Sequence, residues 1–313
     1  MEEKVKHHKF DVIVIGAGGA GLRAAIEASK SGASVAMICK SLLGKAHTVM
    51  AEGGAAAALA NKDPRDSWQT HFRDTMKGGK YLGDWRMAQI HAQQAPDRIR
   101  ELERWGAVFD RTPNGLTSQR NFGGHTYPRL AHIGDATGLE LIRTLQQKGI
   151  HEGMQVFMEY TVRRIFKTDG KVSGCFAYNR NDGSLHVFNA KTIVLATGGI
   201  TRCWEVCSGS WEYSGEGHAL AYWVGAEMGD MEFRKKFENE LWSVLLAKCD
   251  GNALSRIKSA KTEDNKNTII GYVRTNTYLQ SITPWFIFFN FFTPPPTSNF
   301  YSTSLNYIHG SVN

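Results

Sequence analysis

The chain has 313 residues, 42% of them hydrophobic and 21% charged, which is enough apolar content for a sizeable core in one large domain or two moderate ones. Its net charge of +7 comes from Lys and Arg spread along the sequence rather than gathered in one basic run, which argues against a nucleic-acid partner and for a mixed, solvated surface. The five cysteines, Cys39, Cys175, Cys203, Cys207 and Cys249, are odd in number and lack a Cys-x-x-Cys pair, so they point to a reducing compartment rather than to a disulfide framework or a zinc site.

In chain order, the apolar run 10–15 predicts a buried strand, 19–30 a helix with Ala and Leu on its inner face, and 34–38 a second strand: a βαβ opening. No secretory signal is expected, because that first apolar run is short and leads straight into glycines. Helical patterns follow at about 65–76 and 84–105, the second with Met87, Ile90, Ile99 and Leu102 on one face and Pro96 expected to kink or divide it. The segment 135–148 predicts a further helix with Asp135 or Thr137 as cap. Residues 155–188 hold β-branched and aromatic runs separated by Thr168-Asp169-Gly170 and Asn181-Asp182-Gly183, turn signals that predict a small antiparallel meander. The run 192–196, ending in Thr197-Gly198-Gly199, then predicts a return to a parallel sheet. The most apolar later stretch, 285–292, is interrupted by Asn290 and followed by Pro294, Pro295 and Pro296; a membrane-crossing helix needs about 20 residues, so none is expected.

The chemistry is concentrated in Gly16-Ala17-Gly18-Gly19-Ala20-Gly21, a G-x-G-x-x-G placed directly after a strand and at the start of a helix. Gly16 permits a tight turn, Gly18 lets the backbone approach a pyrophosphate, and Gly21 lets helix and strand pack closely, while N–H groups at the helix start face the anion. An ordinary glycine turn is the plainer reading; the context favours dinucleotide binding. At the end of the second strand, where an acidic residue usually holds the ribose, stand Cys39, Lys40 and Ser41. A plain NAD dehydrogenase is therefore disfavoured.

The loop from Cys39-Lys40-Ser41 through His47-Thr48-Val49-Met50-Ala51-Glu52-Gly53-Gly54 resembles the second FAD-contacting segment of succinate dehydrogenase and fumarate reductase flavoproteins, in which a Ser/Lys pair replaces the acidic residue. Arg120-Asn121-Phe122-Gly123-Gly124-His125, Asp135-Ala136-Thr137-Gly138 and Ala196-Thr197-Gly198-Gly199 are similar to further family segments, so the resemblance runs from Phe10 to Phe233. It implies an α/β fold: a Rossmann-like FAD-binding domain over 1–233 with a parallel central sheet, a small antiparallel meander and inserted helices, followed by an irregular tail over 234–313. It implies FAD contacts from Gly16, Ala17, Gly18, Gly19, Ala20 and Gly21, from Lys40 and Ser41, from His47, Thr48, Ala51, Glu52, Gly53 and Gly54, and from Thr197 and Gly198. Ser214-Gly215-Glu216-Gly217-His218-Ala219 resembles the motif whose acidic residue helps bind the cofactor, here Glu216 rather than the commoner Asp. A plain helix-start carboxylate is the alternative for that residue.

In the family, the histidine of the His-Thr-Val segment is joined covalently to the flavin's 8α-methyl carbon, and His47 occupies that position. A polar loop residue beside noncovalent FAD is the alternative. Aspartate oxidases and soluble fumarate reductases generally lack this histidine, so His47 favours the respiratory class, with an iron–sulfur subunit and membrane-anchor subunits as partners, a dicarboxylate substrate, and a place on the cytoplasmic or matrix face of a membrane. His71, His91, His125 and His132 show no metal-site spacing. The family's Gln-Phe-His-Pro-Thr-Gly motif is absent: Met231-Glu232-Phe233 runs into Arg234-Lys235-Lys236-Phe237-Glu238. No catalytic residue carries over, and a noncatalytic FAD-binding fragment, poorly stable and with a solvent-accessible flavin, is the competing expectation. A noncovalent flavin oxidase of the aspartate oxidase type is a third.

Overall fold

The computed structural model describes residues 5–204 and 209–228, together with the backbone of two short strands at 245–246 and 268–270. Met231-Glu232-Phe233, Cys207, Cys249 and, those two strands apart, the 234–313 tail lie outside the described residues.

β1 (Lys6–Ile15) starts four residues earlier than its apolar run, α1 (Gly19–Lys30) follows, and β2 (Val35–Cys39) lies parallel to β1 with Val12 opposite Val35 and Ile15 opposite Ile38. Side chains alternate across a strand, and both faces of β1 are covered: Val12 and Val14 pack with Leu22, Ile26, Leu141 and Leu145 on one side, Ile13 and Ile15 with Ile165, Phe188 and Leu220 on the other. A near-continuous apolar strand is what a doubly covered parallel sheet requires.

After a short pairing strand β3 (Ala55–Ala56) come α2 (Trp68–Gly78) and α3 (Trp85–Arg104), capped by Ser67, which accepts from Thr70 N–H at 3.3 Å, and by Asp84, which accepts from Arg86 and Met87 N–H. Pro96 does not divide α3, which is continuous from Trp85 to Arg104. A mid-helix proline removes one backbone hydrogen bond; the buried stripe of Ala92, Ala95, Ile99 and Leu102 holds the helix through it. The short strands β4 (Gln119–Arg120) and β5 (Leu130–Ala131) complete a small sheet in the order β3–β5–β4. Beside β5, Arg129 is fully buried and pairs with Asp66 at 2.7 Å and Asp74 at 3.0 Å, tying the inserted helices to the sheet region.

α4 (Thr137–His151) begins two residues later than expected and carries neither expected cap: its N-cap is Ala136, and Thr137 Oγ1 instead accepts from Ile133 N–H. β6 (Gln155–Met158) then pairs parallel with β2 and belongs to the main sheet rather than to the meander. The meander proper is β7 (Tyr160–Thr168), β8 (Lys171–Asn179) and the first half of β9 (Leu185–Leu195). Asp169 and Gly170 both have positive φ, as the two-residue β7–β8 turn demands. The expected return strand at 192–196 is not separate. β9 is one continuous strand that lies antiparallel to β8 through its first half and parallel to β1 along almost its whole length, from His186 opposite Lys6 to Leu195 opposite Ile15.

The sheet therefore runs β6–β2–β1–β9–β8–β7. α5 (Glu216–Trp223) packs Leu220 and Ala221 onto the Ile13 face, and β10 (Glu227–Met228) pairs with β11 (Leu245–Leu246), while β12 (Thr268–Ile270) lies beside β9. The C-terminal ends of β1, β2 and β9 converge, the place where open α/β sheets bind ligands.

Candidate functional site

The cleft at those strand ends is lined by Gly16 to Ala20, by Cys39 to Leu42, by Lys45 to Thr48, by Ala196 to Gly198 and by Glu212, Tyr213 and Glu216 to His218. Its floor explains the glycines. Gly16 has φ +108°, and a Cβ there would lie 2.3 Å from Ala196 O; a Cβ on Gly21 would lie 1.8 Å from Gly16 O. These two positions let the β1 loop, the Ala196 loop and α1 nest together, so Gly21 supports the cleft without lining it. A Cβ on Gly18, by contrast, would meet only Ala46 and Thr48 side-chain atoms at 3.5 and 3.7 Å, ordinary contact distances. Packing within the chain does not require glycine there; close approach of a ligand does.

α1 begins with no side-chain cap from Gly18, and Thr48 Oγ1 accepts Gly19 N–H at 3.2 Å. The helix start is thus an anion-favouring end opening on the cleft. At the end of β2, Lys40 Nζ donates to Ser214 Oγ at 2.7 Å and to Glu216 Oε1 at 2.9 Å, with Glu212 at 3.8 Å. Burial alone would raise the Glu216 carboxyl, but hydrogen bonds from Ser214 and Lys40 outweigh it and hold it below the usual carboxylate range. Arg180 donates to Lys40 O at 2.6 Å and Glu159 N–H to Ser41 O, so the meander fixes this corner.

His47 opens a 3₁₀ turn, His47–Met50. Its Nδ1 accepts Ser210 N–H at 3.2 Å and its ring leans on Tyr213, with centroids 4.6 Å apart, so the imidazole is oriented from the far wall of the cleft.

The structure brings Gly16, Ala17, Gly18, Gly19, Ala20, Lys40, Ser41, His47, Thr48, Thr197, Gly198 and Glu216 to one cleft. Ala51, Glu52, Gly53 and Gly54 do not line it. They run on behind the His47 turn, where Arg120 holds Gly53 O at 2.6 Å and also donates to Glu52 O. Sequence reasoning missed Tyr160, Thr161 and Val162 at the start of β7, and Ser210, Glu212 and Tyr213. Opposite charge on Lys40 and Glu212 or Glu216 was the available signal for one of these contacts; the others carry no pattern. Cys203 is exposed, whereas burial pushes the Cys39 and Cys175 thiols up to about 12, so both remain packed thiols. Among the described residues no group of His, Cys, Asp or Glu could hold a metal ion, and no helix is long and apolar enough to cross a membrane.

Residues 11–235 match the FAD binding domain family. The chain is 41% identical over 235 residues to the succinate dehydrogenase flavoprotein subunit of Rickettsia conorii, covering 72% of this chain and 39% of that protein. It is 41% identical over 226 residues to a fumarate reductase (CoM/CoB) chain of Methanothermobacter marburgensis, covering 72% and 41%. Among solved structures it superposes on Mycobacterium smegmatis Sdh1 in complex with UQ1 with a TM-score of 0.69 at 56% identity, covering 72% of this chain and 39% of that one. On E. coli quinol fumarate reductase FrdA the TM-score is 0.70 at 35% identity, covering 73% and 39%. The chain spans about two fifths of the length of these relatives. With a glycine-floored cleft at the ends of its parallel strands and a family match over most of its length, the chain belongs to the FAD-binding domain family and is a homologue of succinate dehydrogenase and fumarate reductase flavoprotein subunits.

Proposed function

We propose that residues 1–233 form one FAD-binding domain that carries its flavin covalently on His47, as the flavin-bearing part of a succinate dehydrogenase or fumarate reductase type oxidoreductase. The observation that carries this reading is the placement of His47 on the cleft wall with its ring oriented by Ser210 N–H and Tyr213, opposite the Gly16–Gly21 cradle. FAD supplies a two-electron acceptor. This chain supplies the rest: the α1 start and Gly18 receive the pyrophosphate, Lys40 and Glu216 face the ligand as a fixed ion pair, and Thr197 and Gly198 close the floor. His47 is the residue that would hold FAD by a bond to its 8α-methyl carbon, with Ser210 N–H and Tyr213 keeping the imidazole turned toward the cleft.

The dicarboxylate substrate, the iron–sulfur and membrane-anchor partners, and a place peripheral to the cytoplasmic or matrix face of a membrane complete this reading by likeness to the relatives. One observation favours a second reading, a noncatalytic FAD carrier: the Gln-Phe-His-Pro-Thr-Gly motif is missing after Phe233 and the family match ends at residue 235. The test is to express the chain with FAD, denature it in acid, and follow flavin by in-gel fluorescence, with His47→Ala beside it and a succinate-dependent dye reduction assay on the native protein. Acid-stable flavin that His47→Ala abolishes supports attachment, and dye reduction then separates enzyme from carrier. Flavin that washes away entirely overturns covalent attachment and leaves a noncovalent flavoprotein.

A further inference from the structure

The segments Arg120–His125 and Asp135–Gly138 do not line the cleft. They close on the back of the turn that carries His47. Gly138 is the second residue of α4, and its N–H donates to Ala51 O at 2.7 Å. A Cβ on Gly138 would lie 2.0 Å from Thr48 O, 2.8 Å from Ala51 N and 2.9 Å from Ala51 O, all main-chain atoms that no rotamer change can move aside. α4 lacks a side-chain cap, so one of its opening amides is satisfied by the loop carbonyl instead. On the other side of the turn, Thr48 Oγ1 is held by Gly19 N–H. Beyond it, Arg120 grips Gly53 O and Glu52 O and reaches Asp135 Oδ1 at 3.1 Å. The backbone from 48 to 53 is thereby fixed from α1, from α4 and from β4.

We propose that Gly138 is a positioning residue for His47: the bare edge of α4 sets the depth of the 47–50 turn, and with it the place of the imidazole in the cleft. Bond formation and noncovalent binding differ in how much they depend on that depth. A reacting nitrogen must stand about 3–3.5 Å from its carbon, and a misplacement of about 1 Å costs on the order of 100-fold in rate. FAD binding is spread over the Gly16–Gly21 cradle, the Lys40–Glu216 pair and Thr197–Gly198. It meets the turn that Gly138 packs against only through Thr48, whose Oγ1 accepts Gly19 N–H, so binding depends on the depth of the turn far less steeply than bond formation does. A Cβ at 138 forces the turn to retreat by roughly 1 Å to reach van der Waals distance. Gly138→Ala therefore separates attachment from binding. This inference rests on the covalent reading above.

The experiment measures the rate of acid-stable flavin formation in the full chain, wild type against Gly138→Ala. In parallel, noncovalent FAD affinity is compared between His47→Ala and His47→Ala/Gly138→Ala. The expected result is attachment slowed by about 100-fold with the dissociation constant changed by less than about threefold. Gly149→Ala, at the far end of α4, is the control: its Cβ would crowd only the flexible Met154 side chain, so attachment is kept. Should Gly138→Ala not fold, Arg120→Gln tests the same clamp without adding volume, and attachment is expected to slow by about tenfold. Attachment within twofold of wild type in the folded variant overturns the inference, as does a loss of binding equal to the loss of attachment. A wild-type chain that never holds acid-stable flavin overturns the covalent reading and this inference together; wild-type attachment with an unaffected Gly138→Ala overturns this inference alone.

Discussion

Lys40 Nζ and Glu216 Oε1 stand 2.9 Å apart, joining the end of β2 to the first residue of α5 across the cleft. No acidic residue ends the second strand; the carboxylate beside it comes from a helix 176 positions away, and the lysine orients it. Lys40→Met leaves a carboxylate on the cleft wall without its cation, beside a ligand that carries phosphates. FAD affinity is expected to fall by about tenfold, the size of one charge-assisted hydrogen bond. Because the Glu216 carboxyl is held below its ordinary value in the fold, its contribution is present above that ordinary value and lost as pH falls through the lower one. Glu216→Gln should remove that acid dependence from the stability of the fold. Urea midpoints of the flavin-free chain from pH 7 to 3 check this, fluorescence titrations of FAD at pH 7 check Lys40→Met, and wild-type affinity in Lys40→Met would show the pair to be irrelevant to the ligand.

Gly18 and Gly21 sit in one motif but are glycines for different reasons, and alanine separates them. At Gly18 the backbone has φ −75° and ψ −178°, open to any residue, and a Cβ fits at 3.5 Å from Ala46. Gly18→Ala should melt like wild type without flavin yet lose FAD affinity by tenfold or more, since the methyl enters the space of the pyrophosphate. At Gly21 a Cβ lies 1.8 Å from a main-chain oxygen, so Gly21→Ala should destabilise the flavin-free fold by about 1–3 kcal/mol or more, as overpacking does. Thermal melts with and without FAD distinguish the two.

The cradle was legible because its chemistry is local: six residues, a strand before them and a helix after them. The Lys40–Glu216 pair was half legible, since both residues stood out but nothing in a sequence joins positions 40 and 216. What escaped was long-range pairing. β6 reads like the strands of the meander, yet its partner is β2, with Ala36 opposite Gln155. β9 alternates identically whether its neighbour runs with it or against it, so a period of two residues could not show that one strand serves both. Ser210 and Tyr213, which orient His47, sit in a loop with no periodicity. The α4 cap was misplaced because a carbonyl from another loop, and not a local side chain, satisfies the helix.

Arg129 anchors α2 to the sheet region through carboxylates that have no other cation at hydrogen-bond distance among the described residues. Burial pushes the Asp66 carboxyl up despite its arginine partner, a sign of how dry the site is. Arg129→Met should destabilise the fold by about 3–5 kcal/mol, because two buried carboxylates lose their counter-charge. Adding Asp66→Asn and Asp74→Asn removes the unpaired charge, and the new amide oxygen at position 74 can still accept from Thr126, whose N–H and hydroxyl now donate to Asp74 at 2.8 and 2.7 Å. The triple variant is expected to recover most of the loss. Urea midpoints decide, and a single variant within 1 kcal/mol of wild type would contradict the assignment of this pair as a buried anchor.

His71 on α2, His91 on α3 and His125 before β5 gather next to that anchor, with ring centroids 5.1 Å apart for His71 and His91 and 5.9 Å for His71 and His125. Burial is the first cause that keeps them neutral, and the positive neighbours Arg129 and one another add to it: His91 and His125 are lowered to about 4, and His71 well below its usual value. Since the unfolded chain takes up protons near pH 6.5 and the fold refuses them until about pH 4, the stability these residues permit is full above the first value and declines toward the second. Each contributes a slope of at most about 1.4 kcal/mol per pH unit. Asp66, raised by burial, acts with the opposite sign, because its proton is bound more readily in the fold. His91→Leu keeps an apolar group of similar size on α3 and removes one titrating site, so its stability should decline more gently with acid than that of wild type. Urea midpoints for the flavin-free chain at half-unit steps from pH 7 to 4.5 test this: the gap between the two lines should change steadily toward acid in favour of the variant, and parallel lines would show that the histidine cluster does not set the acid limit of the fold.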